Sequence, residues 1–170
     1  IHSIPADNNR ETWEERFNKK IDIKIDRYKN CGIVLENDDK IISYLEENRE
    51  LLKNRPQCFQ HGDYHIGNMI ITGNNELGII DFNRFDYGDP WEEFNRIVWS
   101  AEVSPEFASG YINGYFENKV PNDFFKLMLL YISSNQISAV GWAKSFGEKE
   151  ISIAINQTNR VIQWYDNYKS

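Results

Sequence analysis

The chain is poor in the features that mark secreted, membrane-spanning and nucleic-acid-binding proteins. Its only cysteines, Cys31 and Cys58, lie far apart and form no Cys-x-x-Cys pair. Two such thiols argue against a disulfide framework and favour a reducing, cytoplasmic location. No apolar run approaches the roughly 18 residues that a membrane span needs, and no signal-peptide core opens the sequence. The net charge of −7 argues against a nucleic-acid partner, because phosphate backbones bind basic faces.

The sequence also lacks the phosphate-binding loops of nucleotide enzymes. Neither Gly-x-Gly-x-x-Gly nor Gly-x-x-x-x-Gly-Lys-Ser/Thr occurs in the 170 residues. The composition is otherwise that of an ordinary globular protein, with 41% hydrophobic and 26% charged residues. A chain of this length suits one domain. Its acidic balance is compatible with a cationic ligand as well as with plain solubility.

The residues that carry chemistry fall in one short stretch. Asn68 follows Asp63 by five residues, and Asp81 follows Asn68 by thirteen. A carboxylate can accept the proton of an attacking hydroxyl, whereas an Asn and an Asp supply the hard oxygens that Mg²⁺ prefers. Phosphoryl transfer needs little else from a protein, because the nucleotide supplies the reactive group.

The pattern between these residues predicts a β-hairpin. Residues 69–72 and 77–80 are rich in β-formers and flank the turn residues 73–76. The hairpin would place Asn68 at the start of one strand and Asp81 at the end of its partner. Because those ends are neighbours in an antiparallel pair, one Mg²⁺ could contact both side chains.

The rest of the chain is predicted to be helical. Asp7 can cap a first helix from about residue 9, and Asp38 or Asp39 can cap a second. After Pro90 we expect helices over about 91–101, from Ser104 to about 116, from 121 to before 147, and from about 148. The predicted fold class is therefore α+β and mostly α, a helical bundle with a small hairpin.

The order of the motifs resembles the aminoglycoside phosphotransferase and choline kinase-like family of the protein-kinase-like superfamily. The matching elements are His61-Gly62-Asp63-x-His65-x-x-Asn68, Ile80-Asp81-Phe82 and Gly88-Asp89-Pro90-x-x-Glu93. They cover about residues 58–94, and the family often has Asp where this chain has Glu93. The resemblance implies a kinase-like C-terminal lobe. Since the glycine-rich loop is missing, we expect residues 1–170 to be that single lobe without its N-terminal nucleotide-clamping lobe.

The resemblance also implies a role for each matched residue. Asp63 is expected to be the catalytic base, and Asn68 and Asp81 are expected to bind Mg²⁺, with ATP as phosphoryl donor. The residues expected to support the catalytic loop are His61, Gly62, His65 and Asp89. The weak candidates for substrate binding are Glu92 and Glu93, which would equally suit the start of a helix.

The implied activity is ATP-dependent O-phosphorylation of a small molecule. Aminoglycosides are the nearest acceptors by family, while choline, homoserine, methylthioribose and other amino or sugar alcohols stay open. Without a glycine-rich loop and a strand lysine, the isolated 170 residues are expected to show near-background transfer. Surface near residues 1–10 and the catalytic loop is expected to favour self-association of the isolated lobe.

Two other functions compete with this interpretation. A degenerate kinase-like module would bind a ligand without catalysis, although it would have no need to retain Asp63, Asn68 and Asp81. A zinc hydrolase would use His61, Asp63 and His65, because alternate residues of an extended segment face the same side. The zinc site would leave Asn68, Asp81 and the Gly-Asp-Pro motif unexplained.

Overall fold

The computed structural model describes residues 1–7 and 9–168 and contains two compact units. We call residues 1–10 and 55–128 the mixed unit, and residues 11–54 and 129–170 the helical unit. Among the described residues, no helix combines the length and the apolar character that crossing a bilayer requires.

The helical unit is built from amphipathic helices. Its elements are α1 (Trp13–Asn30), α2 (Asp38–Glu47), most of α5 (Phe124–Ala143), α6 (Glu148–Trp164) and short 3-10 segments at Arg49–Leu52, Lys144–Phe146 and Asp166–Tyr168. The apolar positions of α1 recur every three or four residues, so one face is buried. In that core the Trp13 indole N–H donates to the Tyr131 hydroxyl over 2.8 Å.

The first helix begins later than the sequence analysis predicted. Its N-cap is Thr12, which forms a capping box with Glu15. The Glu15 N–H donates to the Thr12 hydroxyl over 3.3 Å, and the Thr12 N–H donates to the Glu15 carboxylate over 3.1 Å. The Asp7 carboxylate instead accepts from the Asn9 N–H in a local turn. The prediction that Asp7 caps this helix was wrong because the reciprocal cap satisfies the first amides better.

The mixed unit contains two small antiparallel sheets and two helices. Strand β1 (Cys58–Gln60) pairs with β4 (Asp86–Gly88), and β2 (Met69–Ile71) pairs with β3 (Leu77–Ile79), with Met69 opposite Ile79. The helices are α3 (Ile97–Val103) and α4 (Pro105–Tyr115), and 3-10 turns span Ile66–Asn68, Phe82–Arg84 and Glu92–Arg96. This arrangement confirms the predicted hairpin, and α4 begins at the expected Ser104 cap.

The prediction of one helix over about 91–101 was only partly right. Residues Glu92–Arg96 form a 3-10 turn, and the α-helix starts at Ile97. Side chains three residues apart eclipse in a 3-10 turn, whereas an α-helix would offset them. Glu93 and Arg96 therefore lie on one side of the turn, which determines what each of them contacts.

The N-terminal segment runs beside β1. The Phe59 N–H donates to the Ile4 carbonyl over 2.8 Å, and the Ala6 N–H donates to the Gln57 carbonyl over 3.0 Å. These bonds bring His2 to α4, where its Nδ1 lies 2.8 Å from the Tyr115 hydroxyl.

The thiol of Cys58 is expected to resist alkylation. Burial, and then the charges of Asp89 and Glu93, raise its pKa from 9.0 to about 11. Because the thiolate is the nucleophile, Cys58 should react with iodoacetamide at pH 8 far more slowly in the folded chain than in guanidinium. The folded state binds the Cys58 thiol proton more tightly than the unfolded state does, so the protonated thiol favours the folded state at neutral pH. That contribution to stability is lost as the pH rises from 9.0 towards about 11.

Peptide mass spectrometry of timed reactions would measure the rates, with the half-buried Cys31 as internal control. Equal rates for Cys58 in folded and unfolded chain would contradict the assigned burial.

Candidate active site

The catalytic loop, residues 61–68, follows β1 and turns sharply at its second residue. Gly62 has φ +80°, and a Cβ built on it would lie 1.9 Å from the Arg84 carbonyl oxygen. Only glycine fits a left-handed position with so close a backbone neighbour. Gly62 therefore meets a backbone requirement, as its expected supporting role demands.

His61 joins the loop to the end of the hairpin. Its imidazole is buried, with Nε2–H donating to the Ile80 carbonyl over 2.8 Å and Nδ1 accepting from the Asp63 N–H over 3.2 Å. Both nitrogens are thus engaged, which fixes one tautomer and holds the backbone of Asp63. This geometry favours the supporting role expected for His61.

His65 braces the second half of the loop. Its Nδ1 accepts from the Gly67 N–H over 3.0 Å, and its ring meets Trp99 edge-on. Burial lowers the pKa of His65. The negative charge of Asp63 opposes this decrease, and the positive charge of Arg96 adds to it. Its Nε2 lies 3.8 Å from the Asp63 Oδ1, too far for a hydrogen bond.

The zinc arrangement of His61, Asp63 and His65 does not form. The positive φ of Gly62 breaks the extended run on which a common face depends. Both ring nitrogens of His61 also form hydrogen bonds with the backbone. Within residues 1–7 and 9–168, no group of three His, Cys, Asp or Glu side chains could hold a metal ion.

Glu93 anchors the catalytic loop from the neighbouring 3-10 turn. It is buried, and its Oε2 accepts from the His61 N–H over 2.6 Å while Oε1 accepts from the Gly62 N–H over 2.8 Å. His2 Nε2 lies 3.5 Å from the same Oε2. The geometry therefore gives Glu93 a positioning role in place of the suggested substrate contact, whereas Glu92 is half-buried and stays a weak candidate.

Asp89 ties the Gly-Asp-Pro segment to the residues before the catalytic loop. Its carboxylate accepts two hydrogen bonds from Arg55, over 2.6 and 2.8 Å, and one from the Trp91 N–H. Its carbonyl accepts from the Gln60 side chain over 2.6 Å. Asp89 is fully buried, so this tie is structural, and these bonds reach Arg55 and Gln60 of β1.

Asn68 and Asp81 lie just outside the paired ends of β2 and β3, at the open end of the hairpin. The Ile80 N–H donates to the Asn68 carbonyl over 3.1 Å, which continues the β2–β3 ladder by one step. The Asn68 amide donates to the Asp63 carbonyl over 2.9 Å, and Asp81 Oδ1 accepts from Asn83 over 2.8 Å. Within the part of the chain that the structure describes, no hydrogen bond occupies Asn68 Oδ1 or Asp81 Oδ2, and amide and carboxylate oxygens are ligands that Mg²⁺ prefers.

Two arginines that were not predicted from the sequence flank Asp63. Arg84 Nε lies 3.7 Å from Asp63 Oδ2, and Arg96 Nε lies 3.1 Å from Oδ1. The second pair is close, but its geometry falls short of a hydrogen bond. Among the described residues, neither Asp63 Oδ1 nor Arg96 Nε, both buried, has a hydrogen-bond partner. Each arginine lies three residues after a singled-out acid, Asp81 or Glu93, but its contact with Asp63 is a tertiary one that this spacing does not predict.

The structure is similar to the crystal structure of a thermostable mutant of aminoglycoside phosphotransferase APH(4)-Ia in its apo form. The TM-score is 0.65 at 16% sequence identity, over 91% of this chain and 53% of that chain. This chain thus spans about half the length of that structure, and the likeness concerns the fold. No curated protein matches the sequence. The model of the APH phosphotransferase enzyme family matches residues 1–127, and the chain therefore belongs to that family.

Proposed function

We propose that the complete protein transfers the γ-phosphoryl group of ATP to a hydroxyl of a small molecule. The observation that carries this proposal is that Asp63, Asn68 and Asp81 belong to one loop and to the adjoining end of one hairpin. The Asn68 side-chain amide donates to the Asp63 carbonyl, and the Ile80 N–H donates to the Asn68 carbonyl, so Asp81 directly follows the residue that pairs with Asn68. Membership of the phosphotransferase family supports the same class of reaction.

Asp63 would accept or orient the proton of the acceptor hydroxyl. Its Oδ1 is held in an ion pair with Arg96, and the carboxylate would present its other oxygen, Oδ2, to the acceptor hydroxyl. Asn68 and Asp81 would hold Mg²⁺, which when bound neutralises the phosphate charge that Asp81 alone would repel. His61 and Glu93 keep the Asp63 backbone fixed, which matters because a shifted base loses much of its effect.

The activity of the isolated 170 residues is a separate proposal. These residues contain no glycine-rich loop, so we expect near-background transfer from them and turnover from the complete protein, in the cytoplasm. Self-association of the isolated chain is also a proposal. It is supported by exposed apolar side chains on the hairpin, at Ile70, Ile71 and Leu77.

The test is ATP consumption by the complete protein with Mg²⁺ across aminoglycosides, choline, homoserine, and neutral and acidic sugars. We expect one acceptor class to stimulate consumption, and chelation of the metal to abolish it. The acceptor-free reaction is the control. Absence of any metal-dependent nucleotide binding would reject the enzyme and favour the degenerate binding module.

A further inference from the structure

The surroundings of Asp63 are positively charged. Arg84 faces one oxygen of its carboxylate, while Arg96 and His65 face the other. Two guanidinium groups therefore stand against one carboxylate, and a guanidinium stays charged at any working pH. A polycationic acceptor would be repelled here, whereas an anionic group close to the reacting hydroxyl would be attracted.

The edge of the Arg96 guanidinium is placed to bind an oxyanion. The side chain is 21% exposed, and the group lies over the Trp99 ring, 4.8 Å from its centre. Stacking occupies the face of the guanidinium and leaves the in-plane N–H donors available for an oxyanion. The Nε lies 3.1 Å from Asp63 Oδ1, so the remaining donors of the guanidinium are the ones left for an oxyanion.

Arg96 and Asp63 face each other directly. Arg96 Nε and Asp63 Oδ1 form an ion pair 3.1 Å apart. A molecule with a hydroxyl next to an acidic group would match both charges, with the hydroxyl at Asp63 and the acidic group at the other N–H donors of Arg96. Arg84 belongs to the 3-10 turn that follows Asp81 and faces the other oxygen, Oδ2, so it lies on the metal side of Asp63.

We propose that Arg96 is a specificity-determining residue that selects an acceptor carrying a carboxylate or phosphate beside the reacting hydroxyl. The proposal rests on the proposed function and deepens it. The acceptor oxygen forms a bond to the γ-phosphorus, the bond to the bridging oxygen of ATP breaks, ADP leaves, and the hydroxyl proton passes to Asp63. Arg96 holds the acidic neighbour of that hydroxyl and takes no proton. Aminoglycosides and choline are poor acceptors on this proposal.

Binding of inorganic phosphate tests the oxyanion site without any turnover. The complete protein is first saturated with Mg²⁺ and a non-hydrolysable ATP analogue, so that the nucleotide's own phosphate positions are filled, and is then titrated by calorimetry. Arg96→Gln should weaken phosphate binding roughly 10- to 100-fold, the value of a charge-assisted hydrogen bond. Arg96→Lys should retain part of the affinity, and Arg27→Gln, at an exposed position of α1, should retain all of it.

Three results would overturn the proposal: no phosphate binding by the wild type, unchanged binding in Arg96→Gln, or binding only when the nucleotide is absent. The last result would assign the anion to the phosphoryl group of ATP instead of the acceptor.

Turnover of acceptors that are matched in size but differ in charge supplies the second arm. Glucuronate, glucose and glucosamine, and similar triplets of other polyols, differ in charge while sharing hydroxyl groups. Acidic members should have the highest kcat/KM, and Arg96→Gln should raise the KM for the acid while leaving the KM for ATP unchanged. A preference for cationic members would overturn the role of Arg96 and leave the kinase intact. No transfer to any acceptor would count against the proposed function, and the phosphate titration would still decide the role of Arg96.

Discussion

Asp63→Asn in the complete protein is expected to lower kcat roughly 100- to 10,000-fold, the usual contribution of a positioned general base. The amide keeps the size of the carboxylate but cannot take the hydroxyl proton. Its backbone contacts, to His61 and Asn68, do not involve the substituted oxygen and should persist. The measurement is steady-state ATP consumption with the best acceptor found, with the KM for ATP expected to change little.

Asp123→Asn is the matched control, because Asp123 is exposed at the residue preceding α5. It should keep wild-type activity. Thermal unfolding of both variants separates lost catalysis from lost structure. A wild-type rate in Asp63→Asn, with the fold intact, would reject Asp63 as the base.

Gly62→Ala is expected to destabilise the mixed unit severely. A left-handed conformation costs an alanine about 1–2 kcal/mol. The new methyl would also lie 1.9 Å from the Arg84 carbonyl oxygen and 2.7 Å from its carbon, so backbone must move. We expect a loss beyond the roughly 0.5–3 kcal/mol of most substitutions, together with loss of activity, because Asp63 is the next residue. Denaturant unfolding of the complete protein would measure the change.

Gly110→Ala provides a control of opposite sign. Gly110 lies within α4, and a Cβ built on it would meet no atom within 4 Å. Alanine there should stabilise the helix by roughly 0.5–1 kcal/mol. If Gly62→Ala proved as well tolerated as Gly110→Ala, the close approach of the catalytic loop to Arg84 would be wrong.

The parts of the fold that depend on local patterns could be predicted from the sequence. The hairpin follows from β-rich runs around turn residues, and α4 from Ser104-Pro105. The start of α1 could also have been predicted, since Thr12-x-x-Glu15 is a capping-box signature that competes with Asp7 as the helix cap.

The parts of the site that depend on tertiary contacts could not be predicted in the same way. Propensity hardly distinguishes a 3-10 turn from an α-helix over residues 92–96, and it does not indicate which distant residues their side chains contact. Glu93 therefore looked like a helix-start acid or a substrate contact, and Arg96 attracted no attention. Their roles follow from backbone amides and a carboxylate some thirty positions earlier in the chain.

The hydrogen bonds between Glu93 and the loop amides also limit which segments can be exchanged between related proteins in a chimera. The carboxylate reaches the His61 and Gly62 N–H groups at 2.6 and 2.8 Å with the full length of a glutamate. Aspartate, which is frequent at this position in the resembling family, is shorter by one methylene. A catalytic loop grafted from such a relative would be matched to a carboxylate that lies further back. A functional chimera would therefore have to take residues 61–68 and 92–96 from the same relative.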